Sequence, residues 1–172
     1  MKNRMTTPSH RSIPSVVPPA NCFHVLVIDD MPANRILLGK FLKSAGYAVS
    51  EATNGIEALN LLRDRAVTPD LIITDVEMPV MDGITLIEQV RYLNSSLAQT
   101  PIITASGNAD EPMRNQALRA GTDVFLTKPF DLKALQKAIS SLLKSRRKTG
   151  RPVSPLRAPG RVEHDSAIHL EK

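Results

Sequence analysis

Tryptophan is absent from this sequence, and aromatic residues make up only 3% of it. Any core must therefore be aliphatic, and a hydrophobic content of 42% is enough to build one. Cysteine occurs once, as Cys22, which excludes an internal disulfide and a cysteine-rich zinc site. A single thiol fits a reducing compartment. No apolar run approaches the roughly 18–20 residues that a membrane span requires, so a cytoplasmic protein without membrane association is expected. Lys2 and Arg4 open the chain, but Pro8, Pro14, Pro18 and Pro19 stand where a signal sequence has its apolar segment. A Sec-type signal peptide is therefore not expected.

Acidic residues are also scarce, but only at the ends. Residues 1–22 carry three bases and no acid, and residues 144–172 carry eight bases against three acids. Residues 23–143 hold 11 basic and 14 acidic side chains, a net of −3. The overall charge of +5 thus misplaces the positive charge, which lies on two arms around a mildly acidic middle. Residues 1–22 are rich in Pro, Ser and Thr without helical or strand period and read as a disordered arm. Residues 145–172, with Arg146, Arg147, Lys148, Pro152, Pro155 and Pro159, read as a disordered basic tail. The stretch Lys144–Arg161 has no aromatic residue to stack on bases, so a nucleic-acid partner is not expected.

What is present is a regular alternation. Val25–Ile28, Leu71–Thr74 and Ile102–Ala105 are short continuous apolar runs, as strands buried on both faces should be. Val124–Thr127 reads as a further strand and Ala48–Ala52 as a weaker one at an edge. Between them lie helical patterns: Leu37, Leu38, Phe41, Leu42 and Ala45; then Ala58, Leu59 and Leu62; then Ile84, Ile87 and Val90. A weak helix is expected over 110–120, and the last helix carries Leu132, Leu135, Ile139, Leu142 and Leu143 on one stripe. Gly46 and Gly121 read as helix stops, and Asp82-Gly83 as a turn and cap. Five βα units with right-handed crossovers give an α/β fold: a doubly wound, five-stranded parallel sheet of order 2-1-3-4-5, flavodoxin-like. In such sheets ligands bind beyond the carboxyl ends of the strands, at the switch point between strands 1 and 3.

That edge is where the unusual residues fall. Strand 1 ends in Asp29-Asp30, strand 3 in Asp75, strand 4 in Ser106 and strand 5 in Lys128-Pro129. Singly, each has a plainer explanation. An Asp after a strand is commonly a turn former or a helix cap, a lysine is commonly solvated, and a serine is commonly a loop hydroxyl. Jointly they suit one reaction. Clustered carboxylates repel, and a hard divalent cation such as Mg²⁺ relieves that repulsion. A carboxylate can act as a nucleophile, and an ammonium, a hydroxyl and a metal form the electrostatic clamp that phosphoryl transfer needs.

The segments VLVIDD (Val25–Asp30), DVEMPVMDG (Asp75–Gly83), Ser106 and TKPF (Thr127–Phe130) together resemble the receiver domains of response regulators in two-component signalling. The resemblance spans residues 23–144. It implies that Asp75 accepts a phosphoryl group from a histidine kinase or a histidine phosphotransfer protein. It implies Mg²⁺ organised by Asp29, Asp30 and Asp75 with the backbone carbonyl of Glu77, Asp30 being the usual direct ligand. It further implies Ser106 as the switch hydroxyl, Lys128 as the phosphate-binding lysine, and a cis Lys128–Pro129 bond. Phe125 stands at the position of the switch aromatic and is expected to turn inward on phosphorylation; its plainer reading is an ordinary strand residue. Glu77 and Asn108 stand where phosphoryl lifetime is tuned. Asn34–Phe41 resembles receivers attached to or fed by hybrid kinases, which points to a phosphorelay.

Two departures stand out. Gly107 replaces the usual Ala after the switch hydroxyl, which loosens that loop, and Phe125 lacks the hydroxyl of the common Tyr. Too few residues follow the last helix for an effector module, so output is expected through docking of a protein partner, by a switch and not an enzyme. Two other classes fit less well. An aspartate-nucleophile phosphohydrolase would need Asp-x-Asp after strand 1, and this chain has adjacent Asp29-Asp30. A passive adaptor would have no use for Asp30, Asp75, Ser106 and Lys128 together.

Overall fold

Alternation along the strands sorts the core into two layers. The computed structural model describes residues 22–108 and 110–148, with side chains as far as Ser145. Strands β1 (His24–Ile28), β2 (Ala48–Ala52), β3 (Leu71–Asp75), β4 (Ile102–Ser106) and β5 (Val124–Thr127) form one parallel sheet of order β2-β1-β3-β4-β5. Helices α1 (Pro32–Ser44), α2 (Gly55–Arg63), α3 (Gly83–Arg91), α4 (Glu111–Ala120) and α5 (Leu132–Lys148) connect or follow them. Successive strand residues point to opposite faces. Leu26, Ile28, Ile72 and Ile102 therefore pack with Leu59, Leu62, Leu86, Ile87 and Val90 of α2 and α3. Val25, Val27, Leu71, Ile73 and Ile103 pack with Leu38, Leu42, Leu135, Ile139 and Leu143 of α1 and α5. Both faces are covered, which is why these strands read as unbroken apolar runs. Each fully buried Leu or Ile contributes about 2 kcal/mol.

Local sequence sets the helix ends. Asn54 caps α2 by accepting from the Glu57 amide at 2.9 Å, and the Glu57 carboxylate returns to the Thr53 amide at 2.7 Å. Asp82 caps α3 through the Thr85 amide at 2.7 Å, and Asp110 caps α4 through the Met113 amide at 2.9 Å. Gly121 closes α4 in the left-handed region, at φ 110°. Pro32 occupies the first turn of α1, where no amide proton is needed.

Three expectations need correction or narrowing. Leu37 is 47% exposed, and Ala45 is the exposed C-cap of α1. Only Leu38, Phe41 and Leu42 of that stripe face the sheet, because Leu37 lies one residue, about 100°, off the row that Leu38 and Leu42 define. Helix α5 continues past residue 144 to Lys148, since no Pro or Gly intervenes and cations suit a helix C-terminus. Cys22, placed with the amino-terminal arm, is buried beside the start of β1. The readings of 1–21 and 149–172 as disordered lie outside the described residues.

Candidate functional site

Strand register brings the expected residues to one edge. Ile28 pairs with Thr74, Asp75 with Ala105, and Ser106 with Thr127. The residues that follow β1 and β5 are then Asp29 and Lys128. Backbone hydrogen bonds continue past the strand ends, from Asp29 N to Ala52 O at 3.3 Å and from Lys128 N to Ser106 O at 2.8 Å. These hold the two side chains at the same level as Asp75. The Lys128–Pro129 peptide is cis.

One carboxylate oxygen from each of Asp29, Asp30 and Asp75 lies within 4.8 Å of those of the other two. Asp29 and Asp75 are buried, at 1% and 6% exposure. The Lys128 ammonium lies between them, 2.7 Å from Asp29 Oδ2 and 2.6 Å from Asp75 Oδ2. Asp75 Oδ1 accepts from the Glu77 amide at 3.3 Å. Burial raises the Asp75 carboxyl above its ordinary value, Lys128 opposes that rise, and Asp29 adds to it. For Lys128, burial disfavours the charged form, but hydrogen bonds and attraction from Asp29 and Asp75 outweigh it, and its pKa is raised. Both members of one ion pair are thus shifted upward. Burial penalises both charged forms; two anions more than offset it for Lys128, whereas one cation, opposed by a second anion, does not offset it for Asp75.

Ser106 is fully buried, and its Oγ accepts from the Asn108 amide at 3.0 Å. The Glu77 carboxylate leans over the neighbouring Gly107, 3.5 Å from where a Cβ would stand. A set of three carboxylates, an ammonium and a hydroxyl at the carboxyl edge of a 2-1-3-4-5 sheet is the arrangement that the sequence motifs imply. A family model described as the response regulator receiver domain matches residues 25–140, about two thirds of the chain. The chain belongs to this family.

As a receiver it has close relatives. It is 38% identical over 125 residues to the sensor histidine kinase RcsC of Salmonella typhi, covering 73% of this chain and 13% of the relative. It is 42% identical over 118 residues to the sensor protein EvgS of Escherichia coli K12, covering 69% of this chain and 9% of the relative. The chain therefore spans a small part of these curated relatives. Among solved structures it is similar to the receiver domain of the sensor histidine kinase PA1611 of Pseudomonas aeruginosa PAO1. That match has a TM-score of 0.65 and 28% identity, covering 72% of this chain and 98% of that one; that structure holds a magnesium ion in its active-site cleft.

The receiver site has three supports that motif reading missed. Asn34 Nδ2 donates to both oxygens of Asp29, at 3.1 and 3.0 Å. Arg35 Nη1 donates to the backbone carbonyls of Asp29, at 2.7 Å, and Asp30, at 3.1 Å. Gly83 is more than part of a turn, since a Cβ there would collide with the Asp75 carbonyl oxygen. The first two had only one signal, a polar pair in the first turn of a helix that follows two acids.

Phe125 departs from expectation. Its ring is already inward, 8% exposed, against Val76, Ile84 and Ala117 with Met113 at the margin. An inward turn on phosphorylation therefore does not start from this conformation. The ring fills an apolar pocket and has no hydroxyl to draw it toward water.

Proposed function

We propose that this receiver is a phospho-switch that takes a phosphoryl group from a phosphohistidine donor onto Asp75. The observation that carries the reading is the Lys128 ammonium held between Asp29 and Asp75. In the reaction an Asp75 carboxylate oxygen forms the new P–O bond. The P–N bond of the donor breaks, and its electron pair leaves with the imidazole, which takes up a proton from solvent. Lys128 stays beside the acceptor and stabilises charge on the incoming phosphoryl oxygens. Ser106 exchanges its hydrogen bond with the Asn108 amide for donation to one of those oxygens.

Mg²⁺ fits this donor set, which is all hard oxygen and crowded with negative charge. Asp30, Asp75 and the Glu77 carbonyl would hold it, with Asp29 behind them. When bound, the cation neutralises charge on the transferring group. The magnesium in the PA1611 receiver supports the assignment. A histidine kinase or histidine phosphotransfer protein is the donor, and kinship to RcsC and EvgS favours a phosphorelay. We place the switch within residues 22–148, in the cytoplasm, with output through docking of a protein partner.

The test is incubation of the full chain with acetyl phosphate and Mg²⁺, followed by intact mass. One phosphoryl group should be added and then removed by hydroxylamine, as an acyl phosphate is. No mass gain, or a hydroxylamine-stable one, contradicts the reading.

A further inference from the structure

Asp29 and Asp30 are adjacent in sequence but differ in what surrounds them. Asp29 Oδ1 accepts from the Met31 amide at 2.9 Å and from Asn34 Nδ2 at 3.1 Å. Its Oδ2 accepts from Asn34 Nδ2 at 3.0 Å and from Lys128 Nζ at 2.7 Å. A carboxylate has about four acceptor sites, and these contacts use them. Asp30 is the most open of the three clustered acids. Asparagine is a poor helix-interior residue, so Asn34 in the first turn of α1 costs some helix propensity. A solvent-facing role would explain a polar residue there, but Asn34 is half-buried and its amide is turned onto Asp29. Arg35 holds the carbonyls of Asp29 and Asp30 and so fixes the backbone on which this contact depends.

We infer that Asn34 is a positioning residue: it commits Asp29 to Lys128, which aligns the ammonium on Asp75 and leaves a divalent cation to Asp30 and Asp75. The inference rests on the reading of Asp75 as acceptor. It assigns unequal work to the paired acids, one as an anchor for Lys128 and the other as a metal ligand. Without Asn34, Asp29 is free to turn, and Lys128 follows it away from the 2.6 Å contact with Asp75.

The experiment uses the full chain with Asn34→Ala and Asn34→His, in which the histidine Nδ1 occupies the place of the amide nitrogen. Three quantities are read. The first, in metal-free protein, is the ¹⁵N–¹H signal of the Lys128 ammonium, visible only when hydrogen bonds slow its exchange. The second is Mg²⁺ affinity by calorimetry. The third is the rate of phosphoryl uptake from acetyl phosphate at saturating Mg²⁺. In Asn34→Ala the ammonium signal should be lost and the rate should fall about tenfold, with Mg²⁺ affinity within about twofold of wild type. Asn34→His should restore much of the signal and the rate. A Mg²⁺ affinity that drops with the rate would overturn the inference, because Asp29 would then be a ligand held by Asn34. An unchanged ammonium signal would overturn it too. If the wild-type chain takes no phosphoryl group, the reading of Asp75 fails, and the ammonium and Mg²⁺ measurements still decide the role of Asn34.

Discussion

The two ends of the sheet use the same residue types for opposite purposes. At the amino end, carboxylates meet backbone amides. Asp70 Oδ2 accepts from the His24 amide at 2.9 Å, and the Asp70 amide donates to the His24 carbonyl at 2.7 Å. Asp123 Oδ2 accepts from the Ile102 amide at 2.8 Å and from Arg91 at 3.0 Å. Arg91 also donates to the carbonyls of Ala98, Thr100 and Gly121, at 2.9, 2.8 and 2.6 Å. Among the described residues, the one buried side-chain oxygen there without a partner is Thr100 Oγ1. At the carboxyl end, Asp29, Asp30 and Asp75 face each other, with one ammonium among them. A carboxylate paired with an N–H stabilises the fold. One crowded by other carboxylates is held for chemistry, at some cost to the metal-free state.

The largest effect should come from breaking the amino end. Arg91→Ala removes the donor to three backbone carbonyls and to Asp123, and should cost about 3 kcal/mol of stability. Urea denaturation measures this, and a loss below about 1 kcal/mol would show that water replaces the guanidinium easily.

A paired substitution sharpens the contrast. Asp70→Ala leaves the buried His24 amide without its acceptor and should cost about 2 kcal/mol. Asp30→Ala removes one of three mutually repelling carboxylates, so metal-free stability should stay level or rise by up to about 1 kcal/mol. The same variant should lose the thermal stabilisation that Mg²⁺ gives the wild type. Equal destabilisation by both variants would erase the distinction between the ends.

The smallest effect concerns pH. His24 is buried, with Nε2 2.9 Å from Ser50 Oγ. Burial lowers its pKa, against a smaller raising effect of Asp70. The unfolded chain therefore binds more protons between the lowered folded value and 6.5. Stability contributed by neutral His24 is complete above 6.5 and is lost as pH falls through that window. His24→Gln should flatten the slope of thermal stability in this range.

Much of the carboxyl end was legible in the sequence because its residues sit at strand ends, and strand ends are marked by the close of an apolar run. Asp29, Asp75, Ser106 and Lys128 needed only the strand order to be brought together. The amino end was not legible. Arg91 lies 30 residues from Gly121 and His24 lies 46 from Asp70, and none of them belongs to a periodic pattern. Asn34 was hidden for another reason: within an amphipathic helix it looks like any polar residue of the outer face. Leu37 misled because an extra apolar residue beside a buried stripe has the same letter as the stripe. The inward Phe125 followed from its neighbours Val76 in the loop after β3, Ile84 on α3 and Ala117 on α4, which no local pattern joins.

The central claim is that the cluster at the carboxyl end exists to place one phosphoryl group on Asp75. Intact mass of the full-length Asp75→Asn chain, after acetyl phosphate and Mg²⁺ under conditions that label the wild type, tests it most directly. The variant should stay at its unmodified mass while its thermal transition remains cooperative. A phosphoryl group added to it as readily as to the wild type would place the acceptor elsewhere and contradict the account.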